Sequence, residues 1–140
     1  MTTIEKLKQG YTSNSVEETE EIACAFASEI APDAFICLSG DLGSGKTAFV
    51  RGMAKFLDVK TQVKSPSFNI CNIYPEGLVH IDAYRISSHF DVDDFLIEEL
   101  AKDPSFICVE WAENIKDFIP ETHYNLVLSI EGEKHIIKLI

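Results

Sequence analysis

Apolar and polar residues alternate along this chain in two rhythms, one helical and one strand-like. Val16, Ile22, Ala23, Phe26 and Ile30 recur at the spacing of one helical face. Ser15-Val16-Glu17-Glu18 reads as a capping box at the start of that helix: the Ser15 hydroxyl accepts from the Glu18 backbone and the Glu18 carboxylate reaches back. Pro32 is expected to end it. The run "AFICLS" (34–39) is short and wholly apolar and enters a glycine-rich turn, the pattern of a buried parallel strand. A second helix is predicted from Lys46 to Leu57, with Phe49, Val50, Met53, Phe56 and Leu57 facing inward.

"VKSPSF" then reads as a loop. Residues 68–74 and 78–82 read as two strands joined by a "PEG" turn, in which Pro and Gly supply the backbone angles. A helix with an acidic start is expected over 92–101 and a second buried strand over "SFICVEW" (105–111). Two further strands, 123–130 and 134–140, flank "EGEK", the first marked by the alternation of Leu126, Leu128 and Ile130. Strands and helices in this order predict an α/β domain with a mixed parallel and antiparallel sheet, spanning residues 1–140 as one unit.

Composition narrows the function. No apolar run approaches the roughly 20 residues that cross a bilayer, and "MTTIEKLKQG" has no apolar signal core, so a cytoplasmic protein is expected. Cys24, Cys37, Cys71 and Cys108 form no C-x-x-C pair and sit in apolar stretches, as reduced core cysteines do. The formal net charge is −11. Nucleic-acid affinity comes mostly from cationic side chains on phosphates, so an extended direct contact with RNA or DNA is not expected. A basic protein partner suits the acidity better, although acidity also serves solubility alone.

The chemistry begins at "GDLGSGKTAFVRG" (40–52). Gly40, Gly45, Lys46 and Thr47 fit G-x-x-x-x-G-K-[ST] in full, with a predicted strand before and a helix after. Glycines let such a loop curl until successive N–H groups point inward, and the helix N-terminus adds positive partial charge. Asp41, Leu42, Gly43, Ser44, Gly45, Lys46, Thr47 and Ala48 are therefore the expected phosphate cradle. Lys46 is assigned to the β- and γ-phosphates and the Thr47 hydroxyl to Mg²⁺. The D-x-x-G and N-K-x-D segments of guanine-nucleotide proteins are missing, which favours ATP. The motif makes the expected fold a P-loop NTPase-like three-layer α/β architecture.

Such a site needs carboxylates at strand ends. "LVHID" ends in Asp82 and "FICVE" in Glu110; either suits the Mg²⁺ and water-organising role, with the uniformly apolar run favouring Glu110. Ser67, in the "SPS" loop, stands where switch loops keep a hydroxyl that senses Mg²⁺ and γ-phosphate. Arg85 is a charge stabiliser or a surface partner. Thr12 and Ser13, ahead of the first predicted helix, are the candidate adenine contacts. The four histidines form no cluster and are assigned no chemistry.

Taken together, "GDLGSGKTAFVRG", "SPSF", "HIDAYRI" and "VEWAENI", in this order and in a chain this short, resemble the TsaE family over roughly residues 12–115. The resemblance implies a cytoplasmic Mg-ATP-binding protein that hydrolyses ATP weakly alone and faster with partners. Those partners are a TsaD–TsaB heterodimer that transfers a threonylcarbamoyl group to an adenosine of tRNAs reading codons that start with A. The ATPase is then expected to reset that complex, with tRNA met only through it. The residues matching Lys46 and Thr47 hold phosphate and Mg²⁺, those matching Asp82 and Glu110 support Mg²⁺ and water, Ser67 belongs to a switch-like loop, and Trp111 lies beside the site. The family pattern usually has Thr where this chain has Ser67, and often a second Thr where it has Ala48; the latter removes one side-chain hydrogen bond of about 1 kcal/mol. Two other readings remain from the residues alone. One is a stand-alone small-molecule kinase, disfavoured by the presence of only two arginines. The other is a nucleotide-gated binding module in which turnover is incidental.

Overall fold

Two short strands, β2 (Phe35–Ser39) and β5 (Phe106–Glu110), pair in parallel at the heart of the sheet. Both of their faces are covered, which is why they are apolar without alternation. The computed structural model describes residues 1–66, 71–84 and 104–140. On either side of the central pair lie β1 (Tyr11–Ser13), β3 (Cys71–Tyr74), β4 (Leu78–Asp82), β6 (Tyr124–Glu131) and β7 (Lys134–Leu139). Among the described residues these seven strands form one sheet in the order β1-β7-β6-β2-β5-β4-β3. Strands β6, β2, β5 and β4 run parallel; β3 and β7 pair antiparallel to their neighbours. The expected mixed sheet of an α/β fold is therefore present.

Among the described residues three helices cover one face: α1 (Thr3–Gln9), α2 (Val16–Ala27) and α3 (Lys46–Phe56). Beneath them Ile36 and Leu38 of β2, Phe106 and Cys108 of β5, and Leu126 and Leu128 of β6 form the larger core with Phe26, Phe49 and Met53. The other face buries Val79, Ile81, Ile107 and Val109 against Ile115, in two short 3₁₀ turns over Ala112–Phe118 that break at Ile115. All four cysteines are thiols, Cys37 and Cys108 buried, and burial pushes the Cys37 thiol up to about 11. Among the described residues no helix is long and apolar enough to cross a membrane.

Several expectations shift at the edges of elements. The capping box exists, with Glu18 N–H donating to Ser15 Oγ at 3.1 Å, but the Glu18 carboxylate reaches Asn14 N–H at 2.7 Å, one residue further back. The first predicted helix ends at Ala27, where Ser28 Oγ donates to the Ala25 carbonyl, so Pro32 does not stop it. Val16 and Phe56, counted on the inner faces, are exposed; Phe56 sits at the rim against Phe106, ring centroids 6.3 Å apart. Helix α1, capped by Thr2, and strand β1 add to the elements that the hydrophobic pattern predicts. Of the strand expected over 68–74, residues 71–74 are β3; the remainder, and the helix expected over 92–101, lie outside the described residues.

Helices α2 and α3 approach closely because Gly52 faces α2. A Cβ there would collide with the Glu20 carbonyl and fall 2.6 Å from Ala23 Cβ. The buried Glu20 carboxylate bridges to Lys55 Nζ and lies 3.9 Å from Arg51, fixing the rotation of α3. Gly52→Ala is expected to destabilise the protein by about 1–3 kcal/mol through overpacking. An unchanged midpoint in urea unfolding would show that the helices can part at no cost.

Candidate functional site

The turn between β2 and α3 carries the phosphate-loop motif, and its backbone is set by glycines. Gly45 precedes α3 at φ +103°, a left-handed conformation that L side chains rarely adopt. Gly40 sits where a Cβ would collide with the Leu128 carbonyl and fall 2.6 Å from Ser44 Oγ. Ser44 N–H donates to the Asp41 carbonyl at 3.0 Å and closes the turn. From the far side His135 of β7 donates Nδ1–H to the Ser44 carbonyl at 2.9 Å. Ser44 is consequently buried and its hydroxyl has no partner among the described residues. No side chain caps α3, and no acid lies in its first turn. Its leading N–H groups, with their positive partial charge, are left for an outside acceptor.

A cleft of about 700 Å³ opens in front of this turn. Its lining includes Gly40, Asp41, Leu42, Gly43, Gly45, Lys46, Thr47 and Ala48 from the loop and helix, with Asp82 and Glu110 from the strand ends. Ser65, Tyr84 and Trp111 complete it. The two carboxylates meet because β4 and β5 pair in parallel with Asp82 directly beside Glu110. Ala83 N–H donates to the Glu110 carbonyl at 3.0 Å, extending that register one residue past β4. Asp82 Oδ1 accepts from Tyr84 N–H at 3.0 Å, and Asn114 Nδ2 donates to the Ala83 carbonyl at 2.9 Å, tying the chain after β4 to the turn after β5. Between them Trp111 takes a left-handed conformation, φ +59°, and packs on Tyr84 with ring centroids 4.9 Å apart. A non-glycine residue in that region costs about 1–3 kcal/mol and is typical of functional sites.

Lys46 donates to the Gly40 carbonyl at 2.6 Å, and its ammonium lies 3.5 Å from Glu110 Oε1. His80 Nε2 donates to Glu110 Oε2 at 2.7 Å, so both oxygens of this buried carboxylate face a cationic or N–H partner. Burial pushes the Glu110 carboxyl up, but the His80 hydrogen bond and the Lys46 charge outweigh it and hold the group below its ordinary value. Sequence reasoning passed over His80 because an interior strand histidine carries no signal of its own; only the β4–β5 register puts it beside Glu110.

Other expectations fare differently. Ser13 is fully buried with its hydroxyl 2.8 Å from the Ser15 carbonyl and 2.7 Å from Thr19 Oγ1, so it offers nothing to a ligand. Thr12 is exposed on β1, and neither residue lines the cleft. Ser67 and Arg85 lie outside the described residues; Ser65 is the described member of the "SPS" loop that reaches the cleft. A second hollow of about 440 Å³ lies around Cys37, Ser39, Lys116 and Asn125 and includes none of the expected site residues.

The residues present fit a magnesium nucleotide. The uncapped helix end supplies amides, Lys46 an ammonium, and Thr47, Asp82 and Glu110 hard oxygens. Among the described residues no three His, Cys, Asp or Glu side chains form a metal cage. Mg²⁺ does not need one, since it commonly takes one or two protein oxygens plus phosphates and water.

Comparison with known proteins bears on the family and the fold. The family model "Threonylcarbamoyl adenosine biosynthesis protein TsaE" matches residues 13–137. A TsaE from Rickettsia typhi is 38% identical over 113 residues, 78% of each chain. One from Bacillus subtilis is 34% identical over 120 residues, 84% of this chain and 75% of the relative. The crystal structure of Bacillus subtilis YdiB superposes with a TM-score of 0.74 at 29% identity, covering 91% of this chain and 81% of that one.

The pairing of Glu110 has a pH consequence. Its folded value lies below the ordinary 4.5, so its stabilisation is present above that value and is lost as pH falls through the folded one. The stability gap between wild type and Glu110→Gln is expected to shrink as pH falls below the ordinary 4.5. Urea unfolding at successive pH values measures it, and a gap that widens on acidification would contradict the pairing.

Proposed function

This chain belongs to the TsaE family of tRNA threonylcarbamoyladenosine biosynthesis proteins, and from that premise we propose that it is a Mg-ATP-dependent ATPase acting with a TsaD–TsaB heterodimer. The observation that carries the reading is the junction of an uncapped glycine-loop helix with Lys46 and with two in-register carboxylates in one cleft. In this reading the loop amides and Lys46 bind the phosphates, while Thr47, Asp82 and Glu110 hold the cation. Bound Mg²⁺ would neutralise phosphate charge and polarise the terminal phosphoryl group. Glu110 orients the attacking water and accepts its proton, and Lys46 offsets charge that grows on the phosphoryl oxygens. Trp111 and Tyr84 form an apolar wall at the mouth of the cleft.

Of the two arginines a kinase reading could draw on, Arg85 lies outside the described residues. Arg51 is turned toward Glu20 on the α2–α3 seam and does not line the cleft. The gated-binding alternative keeps the same pocket and differs only in whether turnover matters.

Lys46→Ala removes the charged donor, worth about 1.5–3 kcal/mol or roughly 10- to 150-fold in nucleotide affinity. Calorimetry with ATP measures it, and Trp111, the only tryptophan, gives a second signal because its fluorescence is expected to change on titration. Undiminished affinity in Lys46→Ala would dismiss the pocket. Glu110→Ala is expected to bind ATP but to support a single round of tRNA modification with TsaD and TsaB. Continued rounds at the wild-type rate would favour the gated-binding reading, and label transferred from ATP to a small metabolite would favour the kinase.

A further inference from the structure

The buried imidazole of His80 is not explained by packing. It is fully enclosed on β4, on the face that carries the larger core, and its strand partner across the register is Cys108. Glu110 lies two residues further along β5, on the same face, as a diagonal neighbour. His80 Nε2 holds Glu110 Oε2 at 2.7 Å, whereas Nδ1 is buried with no partner among the described residues. An orphaned buried nitrogen is a cost to folding, and an aliphatic residue here would avoid it. The return on that cost is control of one carboxylate. With Oε2 held by the imidazole, Oε1 is the oxygen that faces Lys46, 3.5 Å away, at the floor of the cleft. An ionised carboxylate with a single partner would be free to turn and give both oxygens to the ammonium.

We propose that His80 is a positioning residue for Glu110: it pins one carboxylate oxygen so that the other stays directed at the cleft, where the hydrolytic water is activated. This inference rests on the ATPase reading above. It predicts a defect in turnover without a defect in nucleotide binding, because His80 does not line the cleft.

The test compares His80→Gln, His80→Asn and His80→Leu in the full chain, assayed for ATP turnover with TsaD and TsaB and for ADP binding by calorimetry. Gln carries an amide nitrogen near the position of imidazole Nε2, while Asn falls short of it and Leu has no donor. His80→Leu is expected to lose 10- to 100-fold in kcat, with KM for ATP and affinity for ADP within threefold of wild type. His80→Gln is expected to recover kcat to within fivefold, and His80→Asn to resemble Leu. If Leu does not fold, judged by urea unfolding, the Gln–Asn pair carries the comparison. Leu turning over within threefold of wild type, or Gln and Asn falling equally, overturns the assignment while leaving the ATPase reading intact. A wild type that binds ADP but releases no phosphate with TsaD and TsaB overturns the ATPase reading, and this inference with it.

Discussion

One ammonium group organises this end of the sheet. Lys46 is held between the carbonyl of Gly40 and the carboxylate of Glu110, joining the turn after β2 to the end of β5. Neither contact is available to a lysine placed elsewhere. The helix must start at residue 46 for the side chain to turn back over the loop, and β2 and β5 must be adjacent for the carboxylate to lie within reach. A buried carboxylate without donors would be neutralised by protonation. Here the ammonium and the His80 imidazole keep it charged.

Strand register converts that pairing into a site. A one-residue slip of β4 against β5 would turn His80 and Asp82 to the opposite face, removing the donor from Glu110 and the second carboxylate from the cleft. The register is locked beyond the strands by Ala83 N–H on the Glu110 carbonyl and by Asn114 on the Ala83 carbonyl. Trp111 must turn sharply between them, and its left-handed backbone is the local strain that this closure imposes. On the other side the loop is buttressed by β7, through His135 on Ser44, and by Leu128 of β6 against Gly40. The phosphate loop is therefore seated on three parallel strands and one antiparallel strand, which explains why so few residues suffice to hold it.

Much of this could be read from residues alone, and the exceptions share a physical cause. The loop motif, the apolar strands around it and the two terminal carboxylates are local patterns; the cleft gathers the loop and both carboxylates, but not Ser44, which was expected in the cradle and is instead buried with its N–H donated to the Asp41 carbonyl. Helix α1 is too short to show a period, and β1 is defined by pairing with β7, a partner more than a hundred residues away. Ser13 looked available because exposure cannot be read from a hydroxyl; in the fold it caps internal groups beneath α2. His80 and His135 were silent for the same reason. A histidine acquires meaning from what lies across a strand boundary, and that neighbour is set by register and not by sequence spacing.

The charge of the chain and the polyanion affinity of the proposed reading are compatible because they act over different distances. A net charge of −11 spread over the surface is screened within about 8 Å at physiological salt. A triphosphate sees only what lines its pocket, and there the helix end and Lys46 are positive while Asp82 and Glu110 call for a divalent cation. A folded RNA would lie across many screening lengths of the surface and meet the acidic excess directly, without the phosphate contacts that supply most of nucleic-acid affinity. On the proposed reading the division of labour in tRNA modification follows from this difference in length scale. On that reading the nucleotide would bind where local geometry overrides the global charge, and the RNA would be held by partner proteins that supply the cationic contacts.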